Sequence, residues 1–354
     1  MARILLIANA ESIHTQRWLD GLRNLGHELH LLSHSYANCP DDVVLHVLPI
    51  TLRALPRTLP QVRTLVRKLK PQIVHGHQVI SEGLYAALSG HPRVIVSALG
   101  SDVLLIPKRS VLLRLMVKSV LWRAQVLTAD SQDLVRTITD LVPSAAAKVH
   151  CFPMGIERQY ADAARSLPQK KPIILSTRSL KSLYNVDLII RAFALVNSTY
   201  SYRLVIAADG QMRGKLEELA VRLNVHDRVD FVGLLPRETL ARYYAQAEVF
   251  VSIPSSDATS VSLLEAMNWG CLPIVSDLPA NREWIEHGRN GLIVTPNEEE
   301  LARALQRALE DADLRLKACR LNQALIRERA IWEDNLAQME AIYTQLLAGG
   351  RGSR

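Results

Sequence analysis

Short runs of Val, Ile and Leu alternate along the chain with longer segments of helical period. This alternation restricts the fold more than any other feature. Residues 3–8 form a strand-like run, 15–25 have helical spacing, and 28–33 are strand-like again. Further strands are expected at 72–75, 94–98 and 124–129. After Lys170-Lys171-Pro172 the rhythm restarts, with strands at 173–177, 203–207, 229–232, 249–253 and 273–275 and helices at 186–196, 215–223 and 240–246. Strands this uniformly apolar, separated by helices, belong in parallel sheets covered on both faces. Two doubly wound α/β domains facing a cleft are expected, 1–165 and 166–330, with the boundary between Tyr160 and Pro172. A late helix at 299–309 closes the second domain. A last helix within 331–348 is expected to pack back on the first domain, and 349–354 to form a loose tail.

The 354 residues fit about two domains, and 48% hydrophobic residues supply their cores. Cys39, Cys151, Cys271 and Cys319 lie far apart with no CxxC, which argues against a zinc module or a disulfide framework. No window approaches ~18 uncharged apolar residues, and Ile4–Ile7 reads as a first buried strand rather than a leader. A cytoplasmic enzyme is the expectation. Of 42 Lys and Arg against 35 Asp and Glu, 19 basic and 12 acidic residues precede residue 166, so the whole surplus lies in the first half. Such asymmetry points to an acidic partner for that half.

In open α/β sheets ligands bind beyond the carboxyl ends of the strands, so residues just after strands are the candidates. The segment Ser255-Ser256-Asp257-Ala258-Thr259-Ser260-Val261-Ser262 follows a strand and opens a helix containing Glu265. Small hydroxyl residues there leave backbone N–H groups where the helix dipole favours a phosphate. Asp257 and Glu265 are able to accept hydrogen bonds from sugar or ribose hydroxyls. The alternative is structural, with Thr259 or Ser260 as a helix cap and Glu265 as its buried partner. In the first half, His75 and His77 point the same way on an extended segment, but no acid or thiol set completes a metal site.

An acid, seven residues, a Glu, then Ala266-Met267 and a Gly-Cys-Leu-Pro-Ile-Val strand resembles the signature of the family-4 retaining glycosyltransferases of the GT-B fold. Gly26-His27-Glu28, His75-Gly76-His77, Gly100-Ser101-Asp102, Pro153-Met154-Gly155-Ile156, Asp209-Gly210 and Asn290-Gly291-Leu292 follow in the family's order.

The resemblance implies a role for each of these positions. Glu265 would hold ribose hydroxyls, Asp257 hydroxyls of the transferred sugar, and Arg178 the diphosphate, a task suited to a guanidinium. Backbone amides of Thr259, Ser260, Val261 and Ser262 would share the diphosphate, and Gly233-Leu234 would border the base. His77 would contact the donor sugar or acceptor; Asp102 would accept from an acceptor hydroxyl or cap its own turn. His14, Thr15 and Ser101 would lie on the acceptor side. Three departures mark a variant branch. Asp257 replaces the first Glu of the pair, and Tyr184-Asn185 stands where the family has Lys-Gly, with Lys181 or the Tyr184 hydroxyl as a substitute. Asn9-Ala10-Glu11-Ser12 replaces a Gly-rich loop.

The implied partners are a nucleotide-diphosphate sugar and a hydroxyl acceptor, with neither metal nor organic cofactor. Residues 107–123 interleave Lys and Arg with Leu, Val, Met and Trp, and Arg53, Arg57, Arg63, Arg67, Lys68 and Lys70 form a second basic cluster. Either these helices lie on an anionic membrane and serve a lipid-linked acceptor at its cytoplasmic face, or they pack on the core with a solvated basic face. Nucleic acid is disfavoured by 5% aromatic residues and the lack of a binding motif. A sugar-binding protein with a decayed site and a nucleotide-sugar epimerase are the competing readings.

Overall fold

The computed structural model describes residues 1–36, 39–196 and 202–349. Its contacts divide the chain into two units, Met1–Pro153 with Glu333–Arg354, and Met154–Trp332.

The first unit holds a seven-stranded parallel sheet in the order β3-β2-β1-β4-β5-β6-β7. Its strands are β1 (Arg3–Ile7), β2 (Glu28–Ser33), β3 (Val43–Val47), β4 (Ile73–His77), β5 (Val94–Ser97), β6 (Val126–Ala129) and β7 (Val149–Cys151). β4, β5 and β6 are buried throughout, as continuous apolar strands under helices on both faces must be. The edge strands β3 and β7 went unmarked in the sequence; both are partly exposed, a polar His interrupts each, and β7 is only three residues long. The last helix, Trp332–Ala348, is tied to this unit from Glu333 onward. His27 Nε2 meets Glu340 at 2.7 Å, His75 Nδ1 meets the Tyr343 hydroxyl at 2.7 Å, and Arg93 donates to the Leu346 carbonyl at 3.0 Å.

The second unit holds a six-stranded parallel sheet in the order β10-β9-β8-β11-β12-β13. Here β8 is Lys171–Ser176, β9 Arg203–Ile206, β10 Val229–Phe231, β11 Ala247–Ser252, β12 Leu272–Ser276 and β13 Leu292–Val294. This unit begins at Met154 rather than between Tyr160 and Pro172. Residues Arg158–Ala163 form a helix whose Ala161 is buried in the second core, and Ile156 bridges Ile331 in parallel. Alanine carries too little hydrophobicity to announce such a helix from its pattern.

Lys170 is likewise structural. Its ammonium donates to the carbonyls of Ala247 at 2.8 Å, Trp269 at 2.7 Å and Tyr244 at 3.4 Å. These are carbonyls at and just beyond the ends of the helices Arg237–Gln246 and Val261–Asn268. Charged hydrogen bonds of this kind contribute about 1.5–3 kcal/mol each. Lys170→Met is expected to lower the unfolding free energy of this unit by about 2 kcal/mol. Urea denaturation checks it; an unchanged midpoint would show the contacts to be incidental.

Candidate active site in the second unit

The chain leaves β8 through Thr177 and Arg178, at the carboxyl end of a central strand where doubly wound folds place ligands. Arg178 Nη2 lies 2.8 Å from Asp257 Oδ2, while Nη1 donates to Ser262 Oγ at 3.2 Å and to Ser260 Oγ. The guanidinium also lies over the Tyr184 ring, 4.3 Å from its centroid. Arg178 is only 11% exposed and Asp257 21%, so this is not a solvated surface pair. Burial raises the Asp257 pKa more than the adjacent guanidinium lowers it. A ligand hydroxyl donating to that carboxylate would therefore relieve a desolvated charge.

Ser260 occupies the position before the helix Val261–Asn268, yet its hydroxyl caps no backbone N–H. It turns instead to Arg178 and lies 2.8 Å from Ser262 Oγ. The capping reading therefore fails for Ser260. Thr259, in turn, accepts from the Trp284 indole at 3.3 Å. A guanidinium at the positive end of a helix dipole is unfavourable alone and favourable once an anion joins it. The arrangement is chemically an oxyanion receptor with a carboxylate beside it.

Asn185 explains one departure from the family pattern. Its φ is +48°, in the left-handed region that favours Gly and, after Gly, Asn. Its amide donates to the Ile253 carbonyl at 2.8 Å and to Ser255 Oγ at 2.9 Å, and Ser255 N donates to the Leu183 carbonyl at 2.9 Å. The loops after β8 and β11, which carry Arg178 and Asp257, are thus joined. Gly210 supports the same loop: a Cβ there would lie 2.6 Å from the Leu180 carbonyl oxygen.

Glu265 opens into a hollow with Tyr160, Tyr244, Trp269, Arg237 and Glu157. The Tyr244 hydroxyl meets Thr177 Oγ1 at 2.8 Å, and burial together with the neighbouring Glu265 carboxylate holds its pKa well above the usual tyrosine value. Tyr244 therefore links Glu265 to the strand end carrying Arg178. The sequence reading missed both Tyr244 and the aromatic walls, because aromatics at helical spacing read as core. Lys181 is exposed in the loop with Arg178. Gly233, with φ +73°, and Leu234, 80% exposed, form the turn after β10.

The first-unit candidates follow the carboxyl ends of β1, β4 and β5. His75 is satisfied internally, by Tyr343 and by Ser97 Oγ at 2.8 Å. His77 is buried, and its Nε2 meets no hydrogen-bond partner among the described residues. Burial, with His14 adding, lowers its pKa to about 3. At neutral pH it is an uncharged imidazole suited to hydrogen bonding rather than to taking a proton. Of its two readings Asp102 takes the structural one, and Thr15 is closed to solvent. Asp102 accepts from Val79 N at 2.7 Å and Leu99 N at 3.2 Å, so its carboxylate clamps the two loops after these strands. Thr15 is buried inside its helix, leaving His14 and Ser101 exposed.

Comparison with known proteins agrees with this division. A family model described as "Glycosyl transferase 4-like" matches residues 3–131, and one described as "Glycosyl transferases group 1" matches 158–322. An uncharacterized glycosyltransferase of Methanocaldococcus jannaschii is 31% identical over 167 residues, 47% of this chain and 43% of that protein. A phosphatidylinositol N-acetylglucosaminyltransferase component of Arabidopsis thaliana is 24% identical over 311 residues, 81% of this chain and 68% of its own length. This chain thus spans less than half of the first relative and about two thirds of the second. Among solved structures, sucrose-phosphate synthase from Thermosynechococcus elongatus has a TM-score of 0.82 at 19% identity, covering 99% of this chain and 100% of that one. Each half thus matches a glycosyltransferase family model and carries its own parallel α/β sheet, and the fold is that of the GT-B structures.

Proposed function

We propose that the protein transfers a sugar from a nucleotide-diphosphate donor to an acceptor hydroxyl, with retention of anomeric configuration. The observation that carries this reading is the guanidinium of Arg178, held between Asp257, two serine hydroxyls and the Tyr184 ring at a helix N-terminus. In this reading diphosphate oxygens join Arg178 and the amides of Val261 and Ser262, and Asp257 accepts from the sugar. Glu265 accepts from the ribose, with Tyr244 fixing its side chain. Negative charge grows on the leaving phosphate as the glycosidic bond breaks, and preorganised positive charge lowers that barrier. The acceptor hydroxyl arrives on the face the diphosphate leaves, and a phosphate oxygen takes its proton. Neither a metal nor an organic cofactor is assigned a step. The acceptor is read as a hydroxyl on a lipid or a lipid-linked sugar, and glycan assembly at a membrane as the setting.

Release of free nucleotide from a panel of UDP-, GDP- and ADP-sugars tests the reading. Turnover of one donor is expected; no release and no thermal shift with any of them would overturn it, and interconversion of the sugar without release would indicate an epimerase. Glu265→Ala is expected to weaken nucleotide affinity about ten- to hundredfold, the worth of a charged hydrogen bond. Titration calorimetry reads it, and unchanged affinity would remove Glu265 from the ribose.

A further inference from the structure

The helix Val111–Arg123 shows the wrong face to water. Val117, Val120 and Leu121 are buried, as one side of an amphipathic helix should be. The opposite side is not polar. Val111 is 76% exposed, Leu112 68%, Leu115 59% and Trp122 64%, and positions 111, 115 and 122 fall on one line along the helix with 112 beside it. Arg114 and Lys118 flank this stripe on one side and Arg123 on the other, with Lys108 and Arg109 preceding the helix. Between Asp102 and Asp130 the sequence has no acidic residue to neutralise these five cations. The helix Leu55–Leu69 adds the exposed Arg57, Arg63, Arg67 and Lys68, and the helix Glu82–Leu88 packs against both.

We infer that this face of the first unit lies on an anionic lipid bilayer, with Val111, Leu112, Leu115 and Trp122 entering the headgroup boundary and the flanking cations meeting lipid phosphates. Free proteins seldom expose contiguous apolar side chains of this size. An apolar stripe edged by Lys and Arg, with Trp near one end, suits the interface between headgroups and acyl chains. A second copy is the poorer occupant, because a two-fold interface would set the five cations of one protein against those of the other. Relative to the transferase reading, this names where the acceptor would be met. It rests on that reading only for the acceptor, since lipid binding requires no donor.

The test is cosedimentation of the full chain with vesicles of equal parts phosphatidylglycerol and phosphatidylcholine, and with phosphatidylcholine alone. Binding to the anionic vesicles is expected, with a fall as ionic strength rises from about 0.1 M to about 1 M. The triple variant Leu112→Ser, Leu115→Ser, Trp122→Ser is expected to lose about a hundredfold in vesicle affinity. Arg109→Gln and Arg114→Gln are each expected to lose about fivefold. All these side chains are exposed, and none belongs to the active site. Nucleotide release from the donor is expected to persist in every variant, so a wild type that binds vesicles but turns over no donor would uphold the surface and sink the transferase. Equal binding to neutral vesicles, or undiminished binding by the triple variant, would overturn the inference. So would a dimer in gel filtration that the triple variant abolishes while no vesicle binding is seen.

Discussion

Arg178→Ala is expected to lower kcat about 10²- to 10³-fold, the range seen when a preorganised donor to a developing oxyanion is removed. The loss should fall on kcat more than on KM, because the phosphate's charge grows as the bond to the sugar breaks. Arg178→Lys is not a rescue. An ammonium cannot face Asp257 with one nitrogen and Ser262 with another while its plane lies on Tyr184, as the guanidinium does. It is expected to recover no more than about a tenth of the lost rate. Removing Arg178 also leaves the Asp257 carboxylate buried without its cation, which is destabilising in itself. Arg178→Ala combined with Asp257→Asn corrects for that: stability should return toward the wild type while kcat stays low. Steady-state kinetics and thermal unfolding of the three variants decide it. A kcat within about threefold of wild type for Arg178→Ala would remove the residue from the chemistry.

The core of each sheet was legible in the sequence because its strands are continuous apolar runs, and burial on both faces leaves no other use for them. Ile4, Leu5, Leu6 and Ile7 in β1 and Val249, Phe250 and Val251 in β11 are all buried. The short strands escaped the same reading for physical reasons. β3 and β7 are edges with exposed residues, and the three residues of β13 are too few to show a period. The helix Leu55–Leu69 carries Pro56 and Pro60; Pro56 stands in its first turn, where a missing N–H costs nothing.

Within the candidate site, Arg178, Asp257 and Glu265 were nominated from residue type, position after a strand and family resemblance, and the structure brings Arg178 and Asp257 into contact. What Tyr184 and Asn185 do was not foreseen. Stacking on Arg178 and a left-handed φ are properties of the folded loop, and neither leaves a local pattern. Asp102 shows the converse. A carboxylate after a strand reads equally as a ligand or as a clamp, and only the amides of Val79 and Leu99 decide between them. The helix Val111–Arg123 was ambiguous for a similar reason: its composition shows basic and apolar residues interleaved, but not which of the apolar ones face the core.

Glu82→Gln is expected to remove a fall in stability that the wild type shows between about pH 4.5 and pH 7. Glu82 opens the helix Glu82–Leu88 at 6% exposure, and its Oε2 meets no hydrogen-bond donor among the described residues. Burial lifts its pKa from 4.5 to about 7; Asp102 adds to the rise, and a backbone N–H opposes it. The folded value lies above the unfolded one, so between the two the native protein keeps a proton that the unfolded chain releases. The stability this contributes is complete below about pH 4.5 and is lost as pH rises through about 7. A rise of this size corresponds to about 3 kcal/mol at about 1.36 kcal/mol per unit. Glutamine keeps the shape and cannot ionise, so the variant should gain on the wild type across this interval and exceed it by up to about 3 kcal/mol above about pH 7. Hydrogen exchange at the amides of β4 and β5 reads the first unit alone, and parallel pH profiles for the two proteins would refute the assignment. The consequence reaches the site, because Glu82 follows the segment after His77 in which Gln78 and Ser81 have φ of +68° and +64°. Gly83 N donates to the Gln78 carbonyl at 2.9 Å, and Asp102 holds Val79 at 2.7 Å. A neutral Glu82 lets this strained turn stay closed beside a second buried carboxyl, whereas an ionised one would place a desolvated negative charge under the strand end that carries His77.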